Sequence, residues 1–304
     1  MVGRERERRG RRSVGGLAVS GGVVCVCLAA GACSGPGAAV EGSGAGDPVA
    51  VLHGAADRLV AAGSAKACTA MEMASGGTRV TIRGEGVYDF EGRSGRLKVR
   101  LPQDPAGTSG HRPITELLTP GALFMKNRGA GVPADKWVRV ETASLSDGNL
   151  VTGGATDPFA AAEVLRGTRT ATYLGRTEVA GTPVRHYRGT ADLARAARDA
   201  SDGNRQALAA AAEGFATAEV PFDAYLDDDG RIRKLRHRFS FANGRDEGTV
   251  AVASTTLLYD FGAAVRVRLP EDVDIYTGRI AEQRGDGAGD GAGDGAGDGA
   301  GGKN

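Results

Sequence analysis

Long stretches of this chain alternate apolar and polar residues with a period of two, and that period leaves few folds open. It runs through "TRVTIRGEGVYDFEGRSGRLKVRLP" (78–102), "TRTATYLGRTEVAGTPVRHYRGT" (168–190), "PFDAYLDDDGRIRKLRHRFSF" (221–241) and "GTVAVASTTLLYDFGAAVRVRLP" (248–270), and again through the short "KWVRVE" (136–141). Successive side chains of a strand point to opposite faces, so the pattern predicts a sheet with one covered and one solvated face. The first run turns at Glu91-Gly92, and "DDDG" (227–230) reads as a tight hairpin turn between two strands. Three adjacent aspartates can also hold a metal, but no other acid or histidine stands at ligand spacing beside them, which favours the turn.

Helical spacing is confined to three places. "PVAVLHGAADRLVAA" (48–62) sets Val51, Leu52, Ala55, Leu59 and Val60 on one side after an Asp-Pro start, with His53 at the solvated edge. "DPFAAAEVLRG" (157–167) begins with Asp-Pro and ends at Gly167. "TADLARAARDASDGNRQALAAAAEGFATA" (190–218) reads as one or two helices broken near Gly203, with apolar faces made mostly of alanine. Such faces suit lying across a sheet. Strands come in runs and few helices separate them, so the predicted class is α+β: a single strongly curved antiparallel sheet, a half-barrel, with helices packed across its concave face.

The ends of the chain have a different composition. "MVGRERERRGRR" is a basic leader, and "SVGGLAVSGGVVCVCLAAGA" follows it as a short apolar segment with a small-residue exit. That order is a secretory signal, and four glycines before Val23 argue against a permanent membrane helix. Gly31 and Ala32 immediately before Cys33 resemble a bacterial lipobox, with Ala30 where leucine is usual. An ordinary secretory cut or an uncleaved anchor, with Cys33 an incidental small residue, is the alternative. The resulting expectation is a signal over 1–32, lipidation at Cys33, a flexible tether over 33–47, one domain over 48–280 and a disordered Gly/Asp/Ala tail over 281–304. In the mature chain Cys68 would be the single thiol of the domain and reads as a buried core residue.

Catalytic patterns are not found. His53, His111, His186 and His237 lie in different elements, no HExxH pair or GxSxG elbow occurs, and "GTSGH" (107–111) has the wrong spacing. His186 and His237 sit at alternating strand positions, where a solvated face is the default. No enzyme activity, cofactor or metal is expected, and interleaved arginines and acids at a formal net charge of +1 give no nucleic-acid footprint. Aromatics make up only 5% of residues, so a curved sheet under helices can leave an apolar cavity, or alanine and valine can fill the space.

"WVRV" (137–140), "DPFAAAEVLRG", "YLGRTEVAGTPVRHYRGTADLA" (173–194), "DAYLDDDGRIRKLR" (223–236) and "LYDFG" (258–262) stand in that order. With the lipobox, this set resembles the actinobacterial lipoproteins of the LppX/LprG type, which are related in fold to the LolA and LolB lipoprotein carriers. The resemblance implies a half-open antiparallel barrel with helices across its mouth and a hydrophobic cavity for acyl chains. It implies a lipid or acylated ligand and a membrane tether through a diacylglyceryl cysteine on the extracytoplasmic face; an envelope protein is the partner if the sheet instead serves as an interaction surface. Strand alternation and helix facing nominate Leu97, Val99, Leu101, Leu117, Leu118, Phe124, Trp137, Phe159, Leu165, Tyr173, Leu226, Phe239 and Leu257 for the cavity. The alternative function is an envelope interaction or sensor module without a transported cargo.

Overall fold

The structure is a computed structural model and describes residues 46–75, 78–102, 112–129, 131–242 and 249–278. Cys33, the signal, His111 and the C-terminal repeat lie outside the described residues.

Among the described residues eleven strands form one antiparallel sheet, as the alternation predicts. β1 (Ser64–Ser75), β2 (Thr78–Asp89), β3 (Ser94–Arg100), β4 (Ile114–Thr119), β5 (Ala122–Lys126) and β6 (Trp137–Glu141) make one meander. β7 (Thr168–Val179), β8 (Thr182–Asp192), β9 (Glu219–Leu226), β10 (Ile232–Ala242) and β11 (Thr249–Tyr259) make a second. Pairing of β1 with β11, from Lys66 opposite Tyr259 to Ala74 opposite Ala251, joins them. The sheet stays open, with β6 and β7 as its edges, and has the curved half-barrel form.

This topology explains where the helices lie. The chain leaves β6 at one edge and must re-enter β7 at the other, so residues 142–167 cross the inner face. α3 (Pro158–Val164) lies on that path, and every one of its residues is buried. Asp157 caps it, accepting from Phe159 N at 2.7 Å and Ala160 N at 3.1 Å. Gly84 of β2 admits the crossing segment, because a Cβ there would lie 3.0 Å from Ala155 Cβ and 2.5 Å from Thr69 Oγ1. α1 (Pro48–His53) and α2 (Ala55–Ala61) divide the expected N-terminal helix at Gly54. α4 (Leu193–Asp199) and α5 (Asp202–Gly214) break at Ala200-Ser201, and Gly203 falls inside the first turn of α5. The break expected near Gly203 thus falls just before it, with Ser201 in the N-cap position of α5. No helix among the described residues is long and apolar enough to cross a membrane.

Candidate functional site

Parity along the strands divides the sheet into two faces. Inward point Leu97, Val99, Ile114, Leu118, Leu235, Phe239 and Phe222, all at most 2% exposed. Helices cover this face with many alanines, Ala160, Ala161 and Ala162 of α3, Ala196 and Ala197 of α4, and Ala207 and Ala211 of α5, together with the larger Leu52, Leu59, Phe159, Leu193 and Leu208. Two polar nodes hold the cover. Buried Glu163 of α3 accepts from Ser201 N (2.9 Å), Ser201 Oγ (2.9 Å) and Asn204 Nδ2 (2.7 Å), which ties α3 to the start of α5. Tyr88 Oη donates to Asp157 at 3.3 Å and ties α3 to β2. Burial pushes the Asp157 carboxyl up to about 6, against the opposing hydrogen bonds from Ala160, Phe159 and Tyr88.

The inner face also carries polar side chains that spacing alone missed. Glu116 on β4 sits between Leu97 and Met125 in the pairing register and is fully buried. Neither of its carboxylate oxygens has a hydrogen-bond partner among the described residues. Burial drives its pKa up to about 8, with Arg128 opposing, so at neutral pH it is mostly the neutral acid. Thr69 Oγ1, Tyr187 Oη and His237 Nε2 are likewise unpartnered within the described protein. Burial holds the His237 imidazole down at about 3. The expectation of a solvated His237 is therefore corrected: it shares the inward parity of Leu235 and Phe239. The parity of Glu116 with Ile114 and Leu118 was the available signal for that residue.

Of the nominated cavity residues, Leu97, Val99, Leu101, Leu118, Phe159, Leu165, Tyr173, Leu226 and Phe239 belong to or pack against this inner layer. Leu117, Phe124, Trp137 and Leu257 do not, which corrects their nomination. Leu117 and Leu118 are neighbours in one strand, so only one can point inward. Leu117 and Phe124 form a small second core with Trp137, Val267 and Ile275, where residues 263–278 cross the back of β4, β5 and β6. Tyr276 N donates to Trp137 O at 2.8 Å, and Lys136 Nζ to Val273 O at 2.8 Å. Leu257 pairs with Cys68 on the same outer face. Cys68 is half-buried there with Sγ 3.6 Å from Tyr259 Oη, and does not belong to the core.

Elsewhere on the outer face Asp223 collects His186 Nε2 (2.9 Å), Arg188 Nε (2.9 Å) and Arg238 Nη2 (2.7 Å). Burial pushes its carboxyl up, but these three hydrogen bonds outweigh burial and hold it at about 2. His186 stacks on Tyr225 at 4.2 Å between ring centroids, and so is not the freely solvated histidine expected. His53 is also tied down, with Nε2 3.0 Å from Thr168 O. The DDDG turn takes the hairpin form: Asp227 Oδ1 accepts from Asp229 N at 3.1 Å and Arg231 N at 2.9 Å. Among the described residues no group of three His, Cys, Asp or Glu side chains is placed to hold a metal ion.

No protein-family model and no curated protein sequence matches this chain. Among solved structures it is similar to the lipoprotein LppX of Mycobacterium tuberculosis, with a TM-score of 0.43 and 10% identity over 72% of this chain and 97% of that one. LprF of Mycobacterium bovis aligns with a TM-score of 0.38 and 14% identity, over 73% of this chain and 96% of that one. A LolA-superfamily protein of Nitrosomonas europaea aligns with a TM-score of 0.32 and 12% identity, over 76% of this chain and 99% of that one.

Proposed function

We propose that this protein is a membrane-tethered, extracytoplasmic binding protein without catalytic activity that takes up lipid or acylated molecules between its inner sheet face and its helices. One observation carries the reading: alanine supplies much of the buried surface of the cover over a wide apolar face, beside a few larger side chains such as Phe159, Leu193 and Leu208. Apolar burial contributes roughly 25 cal/mol per Å², so an alanine contact stabilises far less than the leucine or phenylalanine contact it replaces. Lifting such a cover costs less than lifting one made of leucine and phenylalanine alone, and an acyl chain laid on Leu97, Val99 and Leu118 recovers the burial. Buried polar side chains with unspent hydrogen bonds, Glu116 and His237 among them, support the same reading, because each costs about 1–3 kcal/mol when left unpaired. The lipobox-like sequence at Cys33 supplies the tether, and the family resemblance of the strand and turn motifs points to the same class of cargo.

Native mass spectrometry of the purified protein, followed by organic extraction, tests the reading. A bound, extractable lipid is expected in the native chain and absent from Leu101→Trp, whose half-buried position at the end of β3 tolerates a larger side chain. A native chain that retains no lipid after incubation with lipid vesicles would leave the interaction-module reading in its place. For the tether, Cys33→Ala is expected to carry no lipid and to remain a longer, uncleaved precursor. A variant that matches the native chain in mobility and membrane partition would remove Cys33 as the lipidated residue.

A further inference from the structure

The outer face of the seam between β1 and β11 carries a trough that the lipid-binding reading does not use. Two adjoining depressions of about 380 Å³ each follow the two strands. Small side chains floor them: Cys68, Ala70 and Ala74 from β1, and Ala251, Ala253 and Thr255 from β11. Cations wall them on both sides, Arg79, Arg83, Lys98 and Arg100 on one and Arg236 and Arg238 on the other. Arg236 is paired with Glu72 at 3.3 Å, Arg238 with Asp223 at 2.7 Å and Arg100 with Glu85 at 3.3 Å. Arg79, Arg83 and Lys98 make no ion pair among the described residues. The trough therefore has a surplus of positive charge above a floor of mostly small side chains, with Leu257 at one end.

We infer that the occupant of this trough is the chain's own C-terminal repeat, "GDGAGDGAGDGAGDGAGG", with Asp286, Asp290, Asp294 and Asp298 set against the arginine walls. Spacing is the first argument. Arg79 and Arg83 are four residues apart on one strand, as are successive aspartates of the repeat. In extended chains both intervals are about 13 Å, and residues i and i+4 face the same way. Size is the second: every residue between the aspartates is glycine or alanine, which suits a floor of alanine, cysteine and threonine. Reach is the third. The segment 263–278 already crosses the outer face, and its last hydrogen bond holds Tyr276 to Trp137 of the edge strand β6. From Gly278 to Asp286 an extended chain spans about 26 Å, against about 19 Å for the four strand spacings from β6 to β2.

Cys68 in the trough floor reports occupancy. Thiol alkylation of the full chain, read at Cys68 by peptide mass spectrometry, compares the native chain with one carrying Asp286→Asn, Asp290→Asn, Asp294→Asn and Asp298→Asn. At low salt the variant is expected to label about two- to tenfold faster, as a millimolar effective concentration gives against a millimolar affinity. Arg79→Gln with Arg83→Gln is expected to reproduce the acceleration, and about 1 M salt to abolish the difference. Equal Cys68 rates in the native and four-asparagine chains at low salt would overturn the inference. So would protection that appears only on adding phosphatidylglycerol vesicles, which would assign the trough to a membrane surface. These outcomes do not depend on whether the inner layer binds lipid.

Discussion

The two faces of this sheet are made from the same strands, yet they solve opposite problems. The inner face is apolar, covered by alanine-rich helices, and leaves Glu116 and His237 without hydrogen-bond partners among the described residues. The outer face is rich in arginine, and its most buried acid, Asp223, is satisfied by three donors at once. Burial without partners pushes Glu116 toward its neutral form, whereas partners hold Asp223 ionised despite burial. Polar groups on the inner face are thus a cost that ligand or opening can relieve, and those on the outer face are a stabilising network.

The contrast can be tested in order of expected effect. Phe159→Ala, beneath the inner layer, should destabilise by about 3–5 kcal/mol in urea unfolding, since a large ring leaves a cavity. Leu257→Ala on the outer face should cost about 1 kcal/mol; comparable losses would mean that the outer face is buried too. Glu116 gives the next largest effect. Its carboxyl is protonated in both states below about 4.5, and between there and about 8 the folded state holds a proton that the unfolded chain has released. Stability must therefore fall as pH rises through that window, and from about pH 6.5 to 8 the loss should reach roughly 2 kcal/mol. Glu116→Gln should flatten that segment, which lies above the ranges in which Asp157 and His237 titrate. A native chain equally stable at both pH values would show that Glu116 reaches water.

Asp223→Ala comes third, at about 1–2 kcal/mol near neutral pH after allowance for solvent screening. Its carboxyl is held below its ordinary value, so its contribution is present above about 3.8 and lost as pH falls toward 2. An alanine variant with an unchanged acid unfolding midpoint would remove Asp223 from the network. Smallest is Lys66→Ala, which breaks an exposed pair with Asp260 at 2.8 Å and should shift stability by less than about 0.5 kcal/mol.

Legibility followed the strength of the local signal. The Val- and Arg-rich runs and the DDDG turn were readable because alternation and turn chemistry are local. β1 was not, because "SAKACTAMEMAS" has no Val or Ile to mark it as a strand, yet it joins the two meanders. Parity was half-readable: Leu97, Val99 and Phe239 lie on the inner face, whereas Leu117, Phe124, Trp137 and Leu257 had the inner face's composition on the outer side. There the C-terminal segment covers Leu117, Phe124 and Trp137, so hydrophobicity signalled burial without saying under what.

The sequence by itself determined that this chain forms a long antiparallel sheet with a few alanine-faced helices, because periods of two and 3.6 are properties of the backbone. It also determined where the hairpins turn and where α3 begins, because Asp-Pro and Asp-Gly act within a few residues. Tertiary structure alone decided which parity faces the helices, that β1 closes on β11, and that Glu116 and His237 are dry. Those outcomes depend on which distant segment covers each face, and burial is a property of the covering partner as much as of the residue covered.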